Sequence, residues 1–373
     1  MSYALPVTKH LAIGILILLA ACREKPGDAW KPLPLGTSAD FRAIHFADPL
    51  HGWIAGGAYD IAGGLVGKTV DGGKTWQFSS GIISPDPTAN GRKVEALHFF
   101  DRQRGVAATD GGKIYITSDG GESWGEVRAW TGATDYLFDL EFLDDNWGWA
   151  VGLDGVLGTH DGGRHWDRLA REQNEVRILG RAISFLDGQR GWLVAQNAVA
   201  MSTDDGGRTW TQAELPLPKG AHPDFWDVFF LDDREGWIVG DEATMLHTRD
   251  GGATWVLRDP GIEGEHSAPK LEQIQRNGRV ETYDLGERTP GLTLASIRFV
   301  DAKHGWIAGL FANMGRSLIL RTVDGGATWT IDADVQGEEL RRIFALDATH
   351  VWAIGARTRP GAQALYFRDP AAK

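Results

Sequence analysis

The sequence predicts an all-β protein, a seven-bladed β-propeller whose blades are four-stranded antiparallel sheets. Two sequence elements recur along the 373 residues at spacings of about 43–53 residues, with one longer spacing. Short apolar runs lie between these elements, and no stretch after the N-terminal segment keeps the apolar spacing of a helix. Repeats of this length with several short strands are typical of propeller blades. Seven such blades close into a ring without a long exposed sheet edge.

An apolar run from Leu11 to Ala21 predicts a signal peptide over residues 1–21. As a helix this run would rise only about 17 Å, which is too short for a hydrocarbon core of about 30 Å. The sequence Leu19-Ala20-Ala21-Cys22 ends the run and resembles the lipobox of bacterial lipoproteins. The resemblance implies that Cys22 is lipidated and begins the mature chain.

Residues 22–29 are polar and contain Pro and Gly, so they predict a short tether between the lipid and the propeller. The residue after the cysteine is Arg23 and not Asp, which favours sorting to the outer membrane. We therefore expect a lipid-anchored protein of the bacterial cell envelope, in the outer membrane and facing the periplasm. Trp30 to Leu33 resembles the last strand that the seventh repeat lacks, which predicts that this N-terminal strand closes the ring. The propeller then spans residues 30–373.

The first recurring element reads Thr-x-Asp-Gly-Gly-x-(Thr/Ser/His)-Trp and predicts a tight turn before the fourth strand of a blade. Glycine supplies the positive φ of such a turn, and the carboxylate accepts hydrogen bonds from turn amides and hydroxyls. We assign the aspartates a structural role. They are Asp71, Asp119, Asp161, Asp205, Asp250 and Asp324.

Two site readings of these turns fail. Lys74-Thr75 lacks the first glycine of a phosphate loop, and Asp204-Asp205 lacks the alternating oxygen ligands of a calcium loop.

The second element begins with an apolar residue, has Asp four positions later and usually has Gly-Trp, with the Trp nine positions after the apolar residue. It predicts the first two strands of each blade. Its first residues are Ile44, Leu97, Leu140, Ile183, Val228, Ile297 and Ile343. Most tryptophans belong to these two elements and are expected to pack between blades. Four fall outside them: Trp30, Trp130, Trp147 and Trp226. The long spacing, 259–293, carries neither element and predicts an inserted loop or hairpin.

Composition excludes several classes of function. A net charge of −12 argues against a nucleic-acid partner, and a single cysteine allows neither an internal disulfide nor a cysteine-based zinc site. His45 and His98 hold equivalent positions in neighbouring repeats, but no third ligand is in register. No Gly-x-Ser-x-Gly motif is present. We expect a monomer without catalytic residues, metal or cofactor.

Residues two positions before the first strand's apolar residue predict a binding ring at the channel mouth. Three of the seven are arginines, at equivalent positions of repeats one, four and seven, and they would attract an acidic group. The predicted partner-binding residues are Arg42, Arg181, Arg341, Arg342, Trp226 and Phe138. The alternative is that Glu95, Asp139 and Asp227 neutralise the arginines, which would make them structural.

The whole pattern, over about residues 30–369, resembles the photosystem II assembly and stability factor family. The resemblance implies a chaperone-like, non-catalytic propeller that holds a protein partner, such as a membrane-protein intermediate or an acidic peptide. It does not imply that photosystem II is the partner of this chain, because the repeats are structural.

The Asp-Gly-Gly turns also resemble those of sialidases and other glycoside hydrolases, which remain the alternative. Phe41-Arg42-Ala43-Ile44 is similar to the start of a sialidase arginine motif but lacks its proline. A sialidase-type site needs a tyrosine nucleophile with a glutamate neighbour. Tyr136 and Tyr59, with Glu95, are the candidates here.

Overall fold

The computed structural model describes residues 29–37, 39–57, 64–83, 93–127, 136–153, 155–170, 172–173, 176–262, 271–276, 279–284, 291–311, 314–358 and 364–369. These residues form seven four-stranded antiparallel sheets and two two-stranded hairpins. The predicted seven-bladed propeller is confirmed. No helix in this part of the chain is long and apolar enough to cross a membrane.

The first three blades follow one another along the chain. Blade 1 contains β2 (Asp40–Phe46), β3 (Gly52–Gly57), β4 (Gly64–Thr69) and β5 (Gln77–Ile83). Blade 2 contains β6 (Val94–Phe99), β7 (Gly105–Thr109), β8 (Ile114–Thr117) and β9 (Gly125–Val127). Blade 3 contains β10 (Leu137–Phe142), β11 (Gly148–Gly152), β12 (Gly155–Thr159) and β13 (Asp167–Ala170).

A short hairpin of β14 (Glu172–Gln173) and β15 (Val176–Arg177) precedes blade 4. Blade 4 contains β16 (Ala182–Phe185), β17 (Gly191–Val194), β18 (Ala200–Thr203) and β19 (Thr211–Gln212). Blade 5 contains β20 (Phe225–Phe230), β21 (Gly236–Gly240), β22 (Met245–Thr248) and β23 (Val256–Arg258).

A second hairpin, β24 (Leu271–Arg276) and β25 (Arg279–Asp284), lies within the long spacing. Blade 6 contains β26 (Thr293–Phe299), β27 (Gly305–Phe311), β28 (Arg316–Thr322) and β29 (Thr330–Gln336). Blade 7 contains β30 (Glu338–Ala345), β31 (Val351–Arg357), β32 (Leu365–Arg368) and, as its outermost strand, β1 (Trp30–Pro32).

The N-terminal strand closes the ring, as the sequence predicted. Trp30 pairs with Arg368, and Pro32 pairs with Tyr366 in the antiparallel ladder between β1 and β32. The Trp30 ring is buried, and its indole N–H donates to a carboxylate oxygen of Asp332 at 2.7 Å. Both ends of the domain therefore meet in blade 7.

The core lies between blades, where the tryptophan of a second strand stacks on the first strand of the next blade. Trp149 stacks on Phe185 with ring centroids 3.6 Å apart, and Trp53 stacks on Phe99 at the same distance. The indole N–H of Trp149 also donates to the carbonyl of Gly206, in the Asp-Gly-Gly turn of the next blade, at 3.0 Å. Trp53, Trp149, Trp192 and Trp352 each join two blades by packing and by a hydrogen bond.

The Asp-Gly-Gly turns are held by their aspartate side chains. Asp71 accepts hydrogen bonds from the Thr75 amide at 2.9 Å, the Thr75 hydroxyl at 2.6 Å and the Thr69 hydroxyl at 2.8 Å. Gly72 and Gly73 have φ values of 78° and 92°, a region that side chains disfavour. In blade 3 the ring of His165 replaces the threonine hydroxyl, 2.6 Å from Asp161.

Hydrogen bonds fix which loops share a face of the propeller. The amide of Gly72 donates to the carbonyl of Leu50 at 2.9 Å, so the Asp-Gly-Gly turns lie beside the turns between first and second strands. We call this the turn face. The first residues of β2, β6, β10, β16, β20, β26 and β30 lie at the opposite end of the ring, which we call the mouth face.

Candidate functional site

In six blades the predicted ring residue occupies a β-bulge near the start of the first strand. The ladder slips by one residue at Arg42, Glu95, Phe138, Trp226, Ala295 and Arg341. In blade 4, Arg181 donates its amide to the carbonyl of Val194 while Ala182 pairs with the same residue. Bulges re-aim side chains beside binding sites. The alternation of apolar and polar residues in the sequence does not predict these bulges.

Three predicted residues from three consecutive blades form one stack on the mouth face. The guanidinium carbon of Arg181 lies 3.7 Å from the ring centre of Trp226 and 5.9 Å from that of Phe138. Tyr136 extends the stack, with its ring centre 5.5 Å from that of Phe138, and is 39% exposed. We call Tyr136, Phe138, Arg181 and Trp226 the arginine stack.

Hydrogen bonds fix the Trp226 ring. Its indole N–H donates to Asp241 at 2.8 Å, and the hydroxyl of Thr293 donates to the same carboxylate oxygen at 2.8 Å. Asp241 in turn donates its amide to the carbonyl of Asp224. The aromatic floor beneath Arg181 is thus set before any ligand arrives, which lowers the entropic cost of binding.

Arg181 carries the charge of this stack without an ion pair among the described carboxylates. Partial burial lowers the pKa of its guanidinium, although Asp224 and Asp241 act in the opposite direction. Its buried Nη1 has no hydrogen-bond partner within the described part of the chain. A half-buried cation with an unused donor is suited to bind a carboxylate.

Arg42 and Arg342 line a channel cavity of about 210 Å³ next to the stack. Arg342 extends from blade 7 and donates to the carbonyls of Arg42 and Phe138, at 3.4 Å in each case. Glu95 and Asp139 line the same cavity, and burial raises the pKa of both carboxyls. Arg342 therefore links the cavity to the arginine stack.

Arg42 and Arg342 act electrostatically on Glu95, and Arg342 acts on Asp139, as the predicted alternative has it, but the ion pairs of Arg42 and Arg341 lie within their own strands. Arg341 pairs with Glu339 of its own strand at 2.5 Å, and Arg42 lies 3.8 Å from Asp40. The predicted counter-ion Asp227 instead pairs at 2.7 Å with Arg298 of the next blade. All these charged residues are visible in the sequence, but the sequence does not predict which arginine pairs with which carboxylate across blades. Arg341 does not join the arginine stack.

The cavity continues towards the turn face between aromatic and acidic side chains. The rings of His45 and His98 are 4.9 Å apart, and burial lowers the pKa of His98 to about 4. Burial also raises the pKa of Glu141 to about 8, although the carboxylate accepts the amide of Phe185 at 2.6 Å. In the described ranges no three ligand-type side chains are placed to hold a metal ion.

The hydrolase candidates do not form an activated pair. The Tyr136 hydroxyl lies 3.5 Å from Asp110, and burial together with nearby Asp110 and Glu95 raises the pKa of its phenol. A tyrosine nucleophile requires the opposite shift. Tyr59 and Trp130 lie outside the described residues, as does Cys22. Trp147 packs against His160 on the turn face, with ring centres 4.2 Å apart.

Comparison with known proteins finds similarity to photosystem II assembly factors over part of the chain. A family model described as photosynthesis system II assembly factor YCF48 matches residues 131–223 and 220–289. The photosystem II assembly lipoprotein Ycf48 of Synechococcus sp. (strain CC9902) is 34% identical over 87 residues, which are 23% of this chain and 26% of that relative. The matched segment therefore spans about a quarter of that relative's length.

A solved structure, YCF48 bound to D1 peptide, has a TM-score of 0.66 at 18% identity and covers 91% of this chain and 95% of that one. At this identity the likeness shows the fold. A probable oligoxyloglucan-reducing end-specific xyloglucanase of Neosartorya fischeri is 26% identical over 160 residues, 39% of this chain and 18% of that relative.

Proposed function

We propose that this seven-bladed propeller, which is similar to photosystem II assembly factors over part of its length, is a non-catalytic scaffold that binds a protein partner. Its mouth face holds an acidic segment or chain-terminal carboxylate of that partner and assists assembly or stability of an envelope or membrane complex. A structural neighbour carries a bound peptide, D1.

The observation that carries the proposal is the arginine stack. Arg181 rests on Trp226 at 3.7 Å and has no ion pair among the described carboxylates. A guanidinium that lies over an indole keeps donors free for a carboxylate. Tyr136 and Phe138 would contact apolar side chains next to that carboxylate.

Arg342 would add a second positive charge to the site. Within the described residues its guanidinium makes long hydrogen bonds to carbonyls, at 3.4 Å, and acts electrostatically on Glu95 and Asp139, so it can turn towards an incoming anion. Two converging arginines raise the local potential in a protein whose net charge is −12. The acidic surface elsewhere would favour binding at this one place.

The proposed location is the cell envelope, with the chain attached as a monomer through a lipid on Cys22. The relative from Synechococcus is named a lipoprotein. Replacing Cys22 by Ser should release the protein from the membrane fraction. Unchanged fractionation of the processed protein would contradict the anchor.

Crosslinked capture from host membranes tests the binding proposal. We expect Arg181→Gln combined with Arg342→Gln to lose the proteins that wild type captures. The matched control replaces two arginines of the turn face, Arg190→Gln and Arg208→Gln. An identical capture profile for all three proteins would contradict the proposal.

Glycoside hydrolysis is the second candidate, favoured only by the short match to a xyloglucanase. Purified protein assayed on aryl-sialosides and on plant β-glucans decides between the two. We expect no turnover above a buffer blank. Turnover abolished by Glu95→Gln would replace the scaffold proposal with a hydrolase.

A further inference from the structure

We infer that the turn face of blades 6, 7 and 1 lies against the membrane surface, so that the arginine stack faces away from it. The inference goes beyond the binding proposal and rests on a lipid at Cys22. We call the turns of these three blades on that face the entry arc.

The first support is where the tether enters. Trp30 pairs with Arg368 at the end of the third strand of blade 7, and the amide of Asp369 donates to the carbonyl of Ala29 at 2.7 Å. In the other blades, an Asp-Gly-Gly turn follows the third strand. The chain before Trp30 therefore leaves from the turn face.

The tether is short. Seven residues separate Cys22 from Trp30, and fully extended they reach only about 25 Å. A lipid at Cys22 thus keeps blade 7 and its two neighbours close to the bilayer surface.

The second support is an apolar bias that the repeats themselves reveal. The residue between Thr and Asp of the Asp-Gly-Gly turn is Val70 in blade 1 and Val323 in blade 6, which flank blade 7. Their side chains are 59% and 52% exposed. The equivalent residues of the other blades are all polar: Ser118, His160, Asp204 and Arg249.

The turns between first and second strands show the same bias. Blade 1 exposes 53% of Leu50 at a position where the six other blades carry polar side chains. These turns in blades 6, 7 and 1, like those of blades 2 and 4, carry no acid beyond their repeating aspartate, whereas blades 3 and 5 add Asp145 and Asp233. On the turn face, Leu50, Val70 and Val323 are exposed in the two blades that flank blade 7, whereas Leu143 of blade 3 is a scattered case of the ordinary kind.

Each repeating aspartate of the entry arc is hydrogen-bonded to a histidine. Asp48, Asp301 and Asp347 each lie within 3.0 Å of a histidine three residues later, an arrangement confined to these three blades in the described residues. Burial opposes ionisation of these carboxyls, but hydrogen bonds lower the pKa of each, from the histidine at Asp48 and Asp301 and from Thr349 and then the histidine at Asp347. Lys74 and Lys303 add exposed positive charges. One acyl chain anchors only marginally, so a surface that rests on the bilayer would strengthen attachment.

Lysine footprinting on vesicles tests the orientation. The mature chain is coupled through Cys22 to a maleimide lipid in protein-free vesicles of phosphatidylethanolamine and phosphatidylglycerol, which makes the test independent of natural lipidation. We expect acetylation of Lys74 and Lys303 to slow at least threefold relative to protein capped at Cys22. Lys219, exposed on the mouth face, should keep its rate.

Matched variants separate the entry arc from the tether alone. Val70→Asp with Val323→Asp should remove the protection. Blade 4 already carries Asp204 at this position, so the change suits the fold. The control variant Leu153→Asp with Leu179→Asp, on the mouth face, should leave the protection of Lys74 and Lys303 unchanged. Unchanged acetylation of Lys74 and Lys303 on vesicles, or protection of Lys219 instead, would overturn the inference.

Discussion

Arg181 and Arg341 occupy the same position of their repeats and have different surroundings. Arg341 has Glu339 two residues before it in its own strand. Arg181 has a leucine and a glycine before it and aromatic rings on the neighbouring blades. Equivalent arginines can therefore be structural in one blade and available for a ligand in another.

Glu141 gives a prediction of how the free energy of unfolding depends on pH. Its folded-state pKa, about 8, lies above that of an unfolded glutamate, about 4.3. The folded state then holds the extra proton, so this group's contribution to the free energy of unfolding falls as pH rises through that window. We expect Glu141→Gln to gain stability over wild type between pH 5 and 8.5, by more than about 1 kcal/mol.

Urea unfolding of both proteins at the two pH values measures that difference. Comparing the variant with wild type cancels the contribution of His45 and His98, which have the opposite sign. A pH-independent difference would show that Glu141 is ionised in the folded protein.

The tryptophans of the second strands test how neighbouring blades are joined. Trp149 donates its indole N–H to the carbonyl of Gly206 in the next blade. The buried N–H of Trp306 has no hydrogen-bond partner in the described residues, because the blade that follows it has no Asp-Gly-Gly turn. Both rings are fully buried. Trp149→Phe loses a hydrogen bond and leaves a carbonyl unpaired, which Trp306→Phe does not.

We expect Trp149→Phe to cost about 1–2 kcal/mol more than Trp306→Phe. Urea denaturation of the two variants gives this difference directly. Equal costs, or a larger cost for Trp306→Phe, would mean that packing alone joins the blades.

The N-terminal strand should be essential to the ring. Deleting residues 28–36 would leave the edge of β32 unpaired and expose the core that Trp30 covers. We expect a large loss of stability, because every blade interface depends on closure. Thermal unfolding of the truncated and full mature chains tests this, and an unchanged melting temperature would contradict it.

Across the whole molecule, features encoded within one repeat were predictable and features shared between repeats were not. The Asp-Gly-Gly turns depend on residues within four positions, so the motif alone predicts Asp71 bonded to Thr75. Ring closure was also predictable, because the strand that the seventh repeat lacks is visible as a gap in the repeat pattern.

The candidate site was predicted only in part. Arg181, Trp226 and Phe138 were singled out by their shared position, but bulges decide which way they point. The pair of Arg298 with Asp227 joins two blades through residues 71 positions apart. No local pattern reports such a contact.

Site-directed photocrosslinking from the arginine stack tests the central claim most directly. p-Benzoylphenylalanine is placed at the exposed position of Tyr136, and at Leu143 on the turn face as control, in cells that make the anchored protein. We expect a crosslinked partner from the first position that Arg181→Gln abolishes, and none from the second. A partner crosslinked equally with and without Arg181, or only from the turn face, would contradict the claim.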